Sequence, residues 1–301
     1  MRDLASSVVV ITGGTSGIGR GIARAFARRG ADVVVTGRRA EHLDETRREF
    51  ADAGLAVDAR QVDVTDRDAM LALADDVERA HGRVDVLVNN AGLGLTGPVA
   101  TATPADWDWL IDVNIRGVGN GILAFLPKIR AHGEGGHIVN TASMGGLMPI
   151  VAGLYSMTKA AVIALSEAMH IELAPDGIGV SAYCPGPVHS NIGAGAAHRP
   201  EKYGASGYPA PDPSRPGLDR EQPYQSAEEA GERVGEGVRR GDMFILTHPE
   251  FKAGLIDRHR TIEQAFPDEP IDERRAAAIP FLTASPVYEE RHRNPPPTWR
   301  A

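Results

Sequence analysis

The chain of 301 residues is 42% apolar and 24% charged, the composition of an ordinary globular protein with one large or two small domains. Its net charge of −8, with no Lys/Arg run longer than an arginine pair, argues against nucleic acid and anionic membrane surfaces as partners. The single cysteine, Cys184, excludes an intrachain disulfide, and no apolar run approaches the roughly 18 residues of a membrane span. These features predict a cytoplasmic protein.

A phosphate-binding loop is predicted close to the start of the sequence. Residues 8–12 form an apolar, β-branched run, which is typical of a strand covered on both faces. Residues 13–19 then read Gly-Gly-Thr-Ser-Gly-Ile-Gly, and apolar residues follow at helical spacing from Ile22 to Ala27. Because a strand, a glycine loop and a helix N-terminus in this order can cradle a pyrophosphate, the segment predicts a dinucleotide site.

The residues after the second strand, 33–36, indicate the type of dinucleotide. A carboxylate at this place would bind the ribose 2′-hydroxyl of NAD and repel a 2′-phosphate. The chain has Gly37 instead, followed by Arg38 and Arg39, whose guanidiniums can fork onto phosphate. The sequence therefore predicts NADP(H). In the alternative, both arginines are solvated surface charges and NAD binds without a ribose acid.

Helices and strands continue to alternate through the next part of the chain. After a helix that ends near Gly54, a third strand carries Asp63 and Val64 at its tip. An amphipathic helix over residues 66–79 and a fourth buried strand over residues 84–88 follow. Each strand is thus joined to the next by a helix, as in a parallel sheet.

Two further segments carry candidate site residues. The fourth strand ends in Asn-Asn-Ala-Gly at residues 89–92, which by composition alone is a plain turn. Thr103 and Pro104 begin the next helix, with threonine as its cap and proline in its first turn. That helix carries Asn114, which the sequence pattern alone identifies only as a polar residue.

A candidate acid/base pair lies at the start of an apolar helical segment. Tyr155 and Lys159 are just over one helical turn apart, so their side chains project from the same face. A lysine beside a tyrosine favours the phenolate and lowers a pKa that is ordinarily about 10. A fifth strand over residues 135–141 leads to Ser143, which lies about a dozen residues before Tyr155. Taken alone, the pair is an ordinary surface pair and the serine is structural.

The last strands complete the predicted architecture. A sixth strand, residues 180–184, is closed by Pro-Gly-Pro-Val-His-Ser at 185–190, and Cys184 is expected to serve packing. Strand and helix alternate throughout, so the fold class is α/β with a doubly wound parallel sheet. A helix over residues 227–240 and a seventh strand over 243–246 follow.

Between the sixth strand and that helix, the periodicity breaks. Residues 195–223 are rich in proline and glycine, and such a long loop is either a functional cover or disordered. Its position favours a substrate lid, with Tyr203, Tyr208 and Tyr224 as aromatic anchors. After a helix over 251–266, the sequence is polar and interrupted by proline, and no regular structure is expected there.

These motifs together resemble the short-chain dehydrogenase/reductase family over about residues 8–246. The glycine loop reads T-G-x-x-x-G-x-G, residues 89–92 match N-N-A-G, and residues 185–190 match P-G-x-V-x-T with Ser190 in place of the threonine. The resemblance implies a Rossmann-type domain over residues 1–301, with a lid at 191–225 and an irregular extension at 248–301. Besides Arg38 and Arg39, it implies these cofactor-binding residues: Gly13, Thr15, Ser16, Gly17, Ile18, Gly19, Asp63, Val64, Asn90, Ala91, Gly92, Tyr155, Lys159, Pro185, Gly186, Val188 and Ser190.

The same resemblance implies four catalytic residues. Tyr155 would exchange a proton with the substrate oxygen, and Ser143 would hydrogen-bond that oxygen. Lys159 would hold the nicotinamide ribose and lower the Tyr155 pKa. Asn114 would distort its helix locally and order a proton-relay water. No metal is expected, and pairing through the long helices implies a homodimer or homotetramer.

A narrower resemblance concerns the lid. Residues 190–192, 199–204 and 206–208 look like the same region of bacterial Cα-dehydrogenases, which oxidise the benzylic alcohol of lignin-derived β-aryl ethers. The likeness reaches Pro249 and the helix after it, and implies a bulky or aromatic substrate. Those relatives look NAD-dependent, with an acid where this chain has Gly37, so the likeness is carried over for the lid and not for the cofactor.

The predicted function is an NADP(H)-dependent oxidoreductase that interconverts a secondary alcohol and a ketone or aldehyde. One alternative is an NAD-dependent aryl or benzylic alcohol dehydrogenase that works in the oxidative direction. A remote alternative is a non-catalytic dinucleotide-sensing protein. Such a protein would be expected to have lost Ser143, Tyr155 or Lys159, and all three are present.

Overall fold

A computed structural model describes residues 4–149, 152–190, 192, 198–208, 222–283 and 285–288. Its centre is a seven-stranded sheet with strand order β3-β2-β1-β4-β5-β6-β7, and every pairing is parallel. The strands are β1 (Val8–Ile11), β2 (Asp32–Gly37), β3 (Asp58–Gln61), β4 (Val86–Asn89), β5 (Gly136–Thr141), β6 (Ile178–Cys184) and β7 (Phe244–Leu246). This arrangement confirms the predicted doubly wound sheet.

The helices connect the strands and cover both faces of the sheet. They are α1 (Gly17–Ala27), α2 (Ala40–Asp52), α3 (Arg67–His81), α4 (Pro104–Ile111), α5 (Gly117–Ala131), α6 (Met144–Leu147), α7 (Gly153–Glu172), α8 (Ala227–Arg240), α9 (Lys252–Glu263), α10 (Glu273–Ala278) and α11 (Pro280–Thr283). None of the described helices is both long enough and apolar enough to cross a membrane.

The strand order places a crevice at the carboxyl ends of β1 and β4. The chain runs outward from β1 to β3 and then returns to pair β4 with the other side of β1. Helices on either side of this reversal leave the sheet on opposite faces, which opens a crevice where dinucleotides bind in such folds. The loops that follow β1 and β4, both predicted as site segments, meet there.

Two apolar layers hold the helices to the sheet. On one face, α1 and α8 contribute Phe26 and Val234 to a cluster with Val9 of β1. On the other face, Met70 of α3 and Phe125 of α5 pack beneath the neighbouring strands. The strands present apolar side chains to both layers, which explains why the sequence shows continuous rather than alternating apolar runs.

Some predicted boundaries differ from the structure. The fourth strand, expected over residues 84–88, is Val86–Asn89; just before it, the Asp85 carboxylate accepts a hydrogen bond from the Val8 amide at 2.9 Å and one from Arg83. Beyond residue 267, where no regular structure was expected, the chain forms α10 and α11. Asp272 initiates α10 by accepting hydrogen bonds from the amides of the first turn. Much of the predicted lid lies outside the described residues.

Candidate active site

The glycine loop after β1 has the conformation of a phosphate cradle. Gly13 and Gly17 have φ of 65° and 48°, in the left-handed region that other residues rarely adopt. A Cβ atom at Gly19 would lie 2.3 Å from the Gly13 carbonyl oxygen, so only glycine fits. Ser16 precedes α1 without capping it through its side chain, which leaves the amides of the first turn for an anion. Thr15 and Ile18 lie in the same loop and first turn.

The β4 loop is tied to this cradle through Thr12. The Thr12 hydroxyl accepts hydrogen bonds from the amides of Asn90 and Ala91, both at 3.0 Å. The Asn90 side-chain amide donates to the carbonyls of Thr12 and Gly13. The structure therefore brings Asn90, Ala91 and the glycine loop together, as the sequence indicated.

The residues expected to select the cofactor lie at the end of β2. A Cβ atom at Gly37 would meet the Thr15 side chain at 2.9 Å, so the position has no room for a carboxylate without displacement of Thr15. Arg38 is exposed, and its guanidinium makes no hydrogen bond or ion pair among the described residues. Arg39 precedes α2, and its guanidinium contacts the rings of His42 and His198.

The third predicted cofactor segment lies two residues beyond β3. One carboxylate oxygen of Asp63 accepts hydrogen bonds from the amide and the hydroxyl of Thr65, both at 2.9 Å. The Val64 carbonyl accepts a hydrogen bond from the Asn120 side chain at 2.8 Å. These contacts hold the loop that follows β3, and the adenine-binding role of Asp63 and Val64 stays a prediction.

Ser143, Tyr155 and Lys159 are brought together by β5 and α7. Ser143 caps α6 just after β5, with its Oγ accepting from the Gly145 amide at 3.0 Å. A Cβ atom at Gly145 would lie 3.4 Å from Ser143 Oγ and 3.7 Å from the Tyr155 ring, so both hydroxyl-bearing side chains border the same glycine. The Lys159 Nζ lies 5.7 Å from the Tyr155 ring centroid and donates to the Thr141 carbonyl at 2.8 Å.

The expectation that Lys159 lowers the Tyr155 pKa is wrong for this structure. Burial raises the pKa of Tyr155, and the hydrogen bond from Ser143 only opposes that rise. Burial also lowers the pKa of Lys159 to about 8, because an ammonium loses its hydration there. The Lys159 nitrogen donates its hydrogen bond to the Thr141 carbonyl. Burial therefore decides the direction of the pKa shift of both Tyr155 and Lys159.

Asn114 lies in a π-helical turn, Asp112–Arg116, between α4 and α5. Its side-chain oxygen accepts from the Leu93 amide at 2.9 Å, and its side-chain nitrogen donates to the Leu93 carbonyl and the Thr158 hydroxyl. A Cβ atom at Gly92 would lie 3.3 Å from both the Asn114 oxygen and the Lys159 nitrogen. The structure therefore shows the local helix distortion that the sequence resemblance implied.

The loop after β6 is held from several directions. The Pro185 carbonyl accepts from the Met144 amide at 2.9 Å, and the Gly186 amide donates to the Thr247 hydroxyl. Val188 forms a β-bridge with Gln225, which joins the two ends of the predicted lid, and Ser190 follows it. Cys184 precedes this loop, and burial raises the pKa of its thiol to about 12, which agrees with a packing role.

One described segment of the lid, residues 198–208, is fixed to α4 by a buried carboxylate; we call this segment the cover. Asp106 is fully buried, and it accepts hydrogen bonds from Arg199 at 2.6 Å, from Ser206 at 2.7 Å and from the Gly207 amide at 2.9 Å. Burial alone would raise the Asp106 pKa. These donors and the Thr103 amide outweigh burial and hold the pKa well below its ordinary range.

Aromatic side chains of the cover pack beside the candidate catalytic residues. Tyr203 and Tyr208 are buried in a cluster with Trp109, and Tyr155 packs against that cluster. The Tyr203 hydroxyl donates to Asp112 at 2.8 Å, at the start of the π-helical turn. The Arg199 guanidinium lies 5.0 Å from the Trp109 ring centroid. The cover is therefore an apolar wall beside Tyr155.

Sequence reasoning missed Asp106 as the centre of these contacts. It identified Thr103 as the cap of the helix, and Thr103 does form a capping box with Asp106. The other donors to Asp106, Arg199, Ser206 and the Gly207 amide, are about a hundred residues away along the chain. A still larger separation, 159 positions, concealed the contact of His198 with Arg39.

Replacement of Lys159 by methionine is expected to stabilise the protein at pH 7, by on the order of 1–3 kcal/mol in the free energy of unfolding. The pKa of Lys159 is about 8 when folded and about 10.5 otherwise, so the charged form opposes folding below pH 8. Between those values the unfolded chain holds more protons and wild-type stability rises with pH. Denaturant unfolding from pH 7 to 10.5 should therefore show that the extra stability of Lys159→Met over wild type decreases as pH rises. A variant less stable than wild type at pH 7 would contradict this prediction.

Comparison with known proteins agrees with this geometry. A family model described as short chain dehydrogenase matches residues 7–200. A C alpha-dehydrogenase of Sphingobium sp. is 39% identical to the chain over 265 residues, which are 87% of each protein.

Two solved structures are similar over most of their length. The structure of a putative short-chain dehydrogenase from Novosphingobium aromaticivorans has a TM-score of 0.80 at 30% identity, and the match covers 94% of this chain and 96% of that one. A short chain dehydrogenase/reductase from Burkholderia phymatum, in complex with NAD, has a TM-score of 0.79 at 33% identity. That match covers 90% of this chain and all of the other (100%).

Proposed function

The chain belongs to the short chain dehydrogenase family and is an NAD(P)-dependent oxidoreductase; from this we propose that it interconverts a secondary alcohol and a ketone or aldehyde, with NADP(H) preferred, on a bulky or aromatic substrate. The observation that carries the proposal is the convergence of Ser143, Tyr155 and Lys159 beside the crevice where the two nucleotide-binding loops meet. The finer points, cofactor preference and substrate class, rest on the contacts below.

Tyr155 is proposed to exchange the proton with the substrate oxygen. Because burial raises its pKa, the phenol is protonated at neutral pH and is suited to donate to an oxygen on which negative charge develops. Ser143 would hydrogen-bond the same oxygen, since its hydroxyl borders Gly145 together with the Tyr155 ring. The protonated phenol of Tyr155 and the charge-stabilising hydroxyl of Ser143 are the groups that reduction of a carbonyl requires.

Lys159 and Asn114 are proposed to assist Tyr155 by binding the cofactor ribose and by allowing proton exchange with solvent. Lys159 carries the only buried ammonium in the described part of the chain, and it borders Gly92 together with the Asn114 side chain. Lys159 would hold the ribose next to the nicotinamide. Asn114, fixed by Leu93 and Thr158, would keep the π-helical turn in the shape that allows proton exchange with solvent.

The residues present fit a dinucleotide. The glycine loop has space that a Cβ atom would fill, and the amides that begin α1 are not capped by Ser16. Asp63 and Val64 would bind the adenine, and residues 185–190 the nicotinamide amide. When bound, the nicotinamide supplies or accepts the hydride. The chain supplies the proton, the orientation and the exclusion of water.

The NADP(H) preference is supported by the end of β2. Gly37 leaves no carboxylate to repel a 2′-phosphate, and the adjacent Arg38 guanidinium is unpaired among the described residues. Arg39 lies next to it at the start of α2. The forked guanidiniums of Arg38 and Arg39, together with the amides of the first turn of α2, suit a phosphate dianion.

Arg38→Ala is expected to weaken NADPH binding at least tenfold, about 1.4 kcal/mol, because a charged contact with the 2′-phosphate is lost. NADH affinity should change little, since NADH carries no phosphate at that position. Fluorescence titration of both cofactors measures this. Arg79→Ala is the matched control, because Arg79 is 73% exposed and pairs only with Asp76 in the described part of the chain. NADH binding as tightly as NADPH to the wild-type protein would contradict the preference.

A second candidate is an NAD-dependent aryl or benzylic alcohol dehydrogenase. Two comparisons favour it: the 39% identity to a C alpha-dehydrogenase and the similarity to a structure that holds NAD. The same titration separates the candidates. Tight NADH binding with no effect of Arg38→Ala would make oxidation of benzylic alcohols the first activity to assay, whereas NADPH preference makes it reduction of aryl ketones.

The aromatic cluster of the cover supports a bulky or aromatic substrate. Tyr203, Tyr208 and Trp109 form an apolar wall against which Tyr155 packs. Apolar pockets lined by aromatic side chains favour ring-shaped ligands. The cover is proposed to select such substrates beside the reacting oxygen.

We also propose a homodimer or homotetramer in the cytoplasm. The helices α4, α5 and α7 expose large apolar side chains that a monomer would leave in water: Trp107, Leu123, Met157 and Leu165. Such a face on neighbouring helices is suited to a second copy of the chain. The lone buried thiol of Cys184 agrees with a reducing compartment.

A further inference from the structure

Two histidines lie against the arginine that begins α2. The Arg39 guanidinium approaches the Nε2 of His198 at 3.2 Å and lies against both ring nitrogens of His42, with Nδ1 at 3.0 Å and Nε2 closer. His42 lies in the first turn of α2, three residues after Arg39, and His198 is the first residue of the cover. Arg38 is the preceding residue, so four basic residues from two distant parts of the chain lie near the end of β2, where such folds place the adenosine ribose of the cofactor.

The Arg39 contacts bear on the protonation state of His42. A guanidinium has donors and no acceptor, so a ring nitrogen that hydrogen-bonds with Arg39 must accept, and a ring with an accepting nitrogen is neutral. Burial and the Arg39 charge both lower the pKa of His42; Glu45 and Glu41 oppose this, and His198 adds slightly to the lowering. Thus the cluster holds the fixed charges of Arg38 and Arg39, and the His42 ring favours the neutral form.

We propose that His42 and His198 are ligands of the cofactor 2′-phosphate and become protonated when NADPH binds. The inference rests on the proposed NADP(H) preference and deepens it. A phosphate dianion placed among the four side chains accepts from the guanidiniums and favours the protonated rings, which then donate as well. Each ring takes its proton from solvent, so binding consumes protons. NADH, which lacks the phosphate, leaves the rings neutral.

The position of His198 is fixed by the contacts of its neighbour. Arg199 is held by buried Asp106 and by the carbonyls of Tyr203 and Gly204. His198 therefore contacts Arg39 from a position next to an anchored residue. The cover thus contributes both to the proposed phosphate site, through His198, and to the apolar wall beside Tyr155. This makes His198 a specificity-determining residue contributed by the cover rather than by the nucleotide-binding loops.

Protonation on binding gives the affinity a definite pH dependence. The gain is complete below the pKa of the rings in the free protein, which for His42 lies below the ordinary value of about 6.5, and is lost as pH rises toward 8 through the higher pKa of the complex. The NADPH:NADH affinity ratio should therefore fall across that interval. The phosphate itself, with a second pKa of about 6, can only release protons when it binds arginines, so uptake identifies the histidines.

Isothermal titration calorimetry at pH 7, in two buffers of different ionisation enthalpy, counts the protons exchanged with NADPH and with NADH. We expect net uptake with NADPH and none with NADH. The double variant His42→Asn/His198→Asn should lose the uptake and about tenfold of the NADPH:NADH affinity ratio. His259→Asn, on the exposed face of α9, is the matched control and should behave as wild type.

The outcomes separate this inference from the cofactor preference on which it rests. NADPH preference without proton uptake, or with uptake unchanged in the double variant, overturns the role of the histidines and leaves the preference standing. Equal affinity of the wild-type protein for NADPH and NADH overturns both.

Discussion

Tyr155→Phe is expected to lower turnover by about a thousandfold, within the range that positioned acid/base groups contribute. The change removes only the phenolic oxygen, and the ring keeps its packing against the cover cluster and Leu154. Ser143 and Lys159 remain, but neither replaces a proton donor at that place. Steady-state kinetics with an aryl ketone and NADPH, alongside cofactor titration, measures the effect; cofactor affinity should change little.

Tyr183→Phe is the matched control for that experiment. Tyr183 is a fully buried tyrosine on β6, and its hydroxyl finds no hydrogen-bond partner among the described residues. Loss of that hydroxyl should leave turnover close to that of wild type. Retained turnover in Tyr155→Phe would remove Tyr155 from the mechanism. Equal losses in both variants would show that the defect is structural.

Asp106→Asn is expected to destabilise the protein by about 3 kcal/mol and to raise the substrate KM. The change leaves the guanidinium of Arg199, which is nearly buried, without its counter-charge, and loss of one partner of a buried pair carries a cost of this size. It also replaces one of the two acceptor oxygens by a donor, so either Ser206, bound to Oδ1, or the Gly207 amide, bound to Oδ2, loses its partner and the attachment of the cover beside Tyr155 weakens. Denaturant unfolding and substrate saturation curves measure the two effects.

The pH dependence of this difference follows from the Asp106 carboxylate. Its pKa is lower in the folded protein, so its contribution is complete above the ordinary value of about 3.9 and is lost as pH falls. The stability gap between wild type and variant should therefore narrow in acid. Asp108→Asn is the matched control, since Asp108 is exposed on the same helix. If the two variants are equally stable and equally active, Asp106 does not hold the cover.

The fold was predictable because its signals are local. Continuous β-branched runs such as residues 8–11, helical periodicity after them and glycine or proline between them predict each element separately. The rules of parallel α/β sheets then leave few ways to arrange the elements. The strand ends carry the site residues in such folds, and the family resemblance then singled out Ser143 and Asn90, which their local pattern alone did not, before any contact was known.

The cover shows where this local reasoning stops. Its proline and glycine content indicated a loop, and position after residues 185–190 indicated a lid, but neither predicts which side chain it touches. Asp106 and Arg199 are 93 positions apart, and no periodicity or turn signal links them. Only packing of α4 beside the sheet brings the carboxylate to the guanidinium.

The sequence by itself determined the fold class, the order of the elements, the nucleotide-binding loops and the identity of the candidate acid/base residues. The tertiary structure alone decided the protonation behaviour of those residues. Tyr155 and Lys159 are a turn apart in any helix, yet burial raises one pKa and lowers the other, against the expectation from their spacing. Burial depends on every segment packed around a group, and residue type and spacing carry no information about it until the chain has folded.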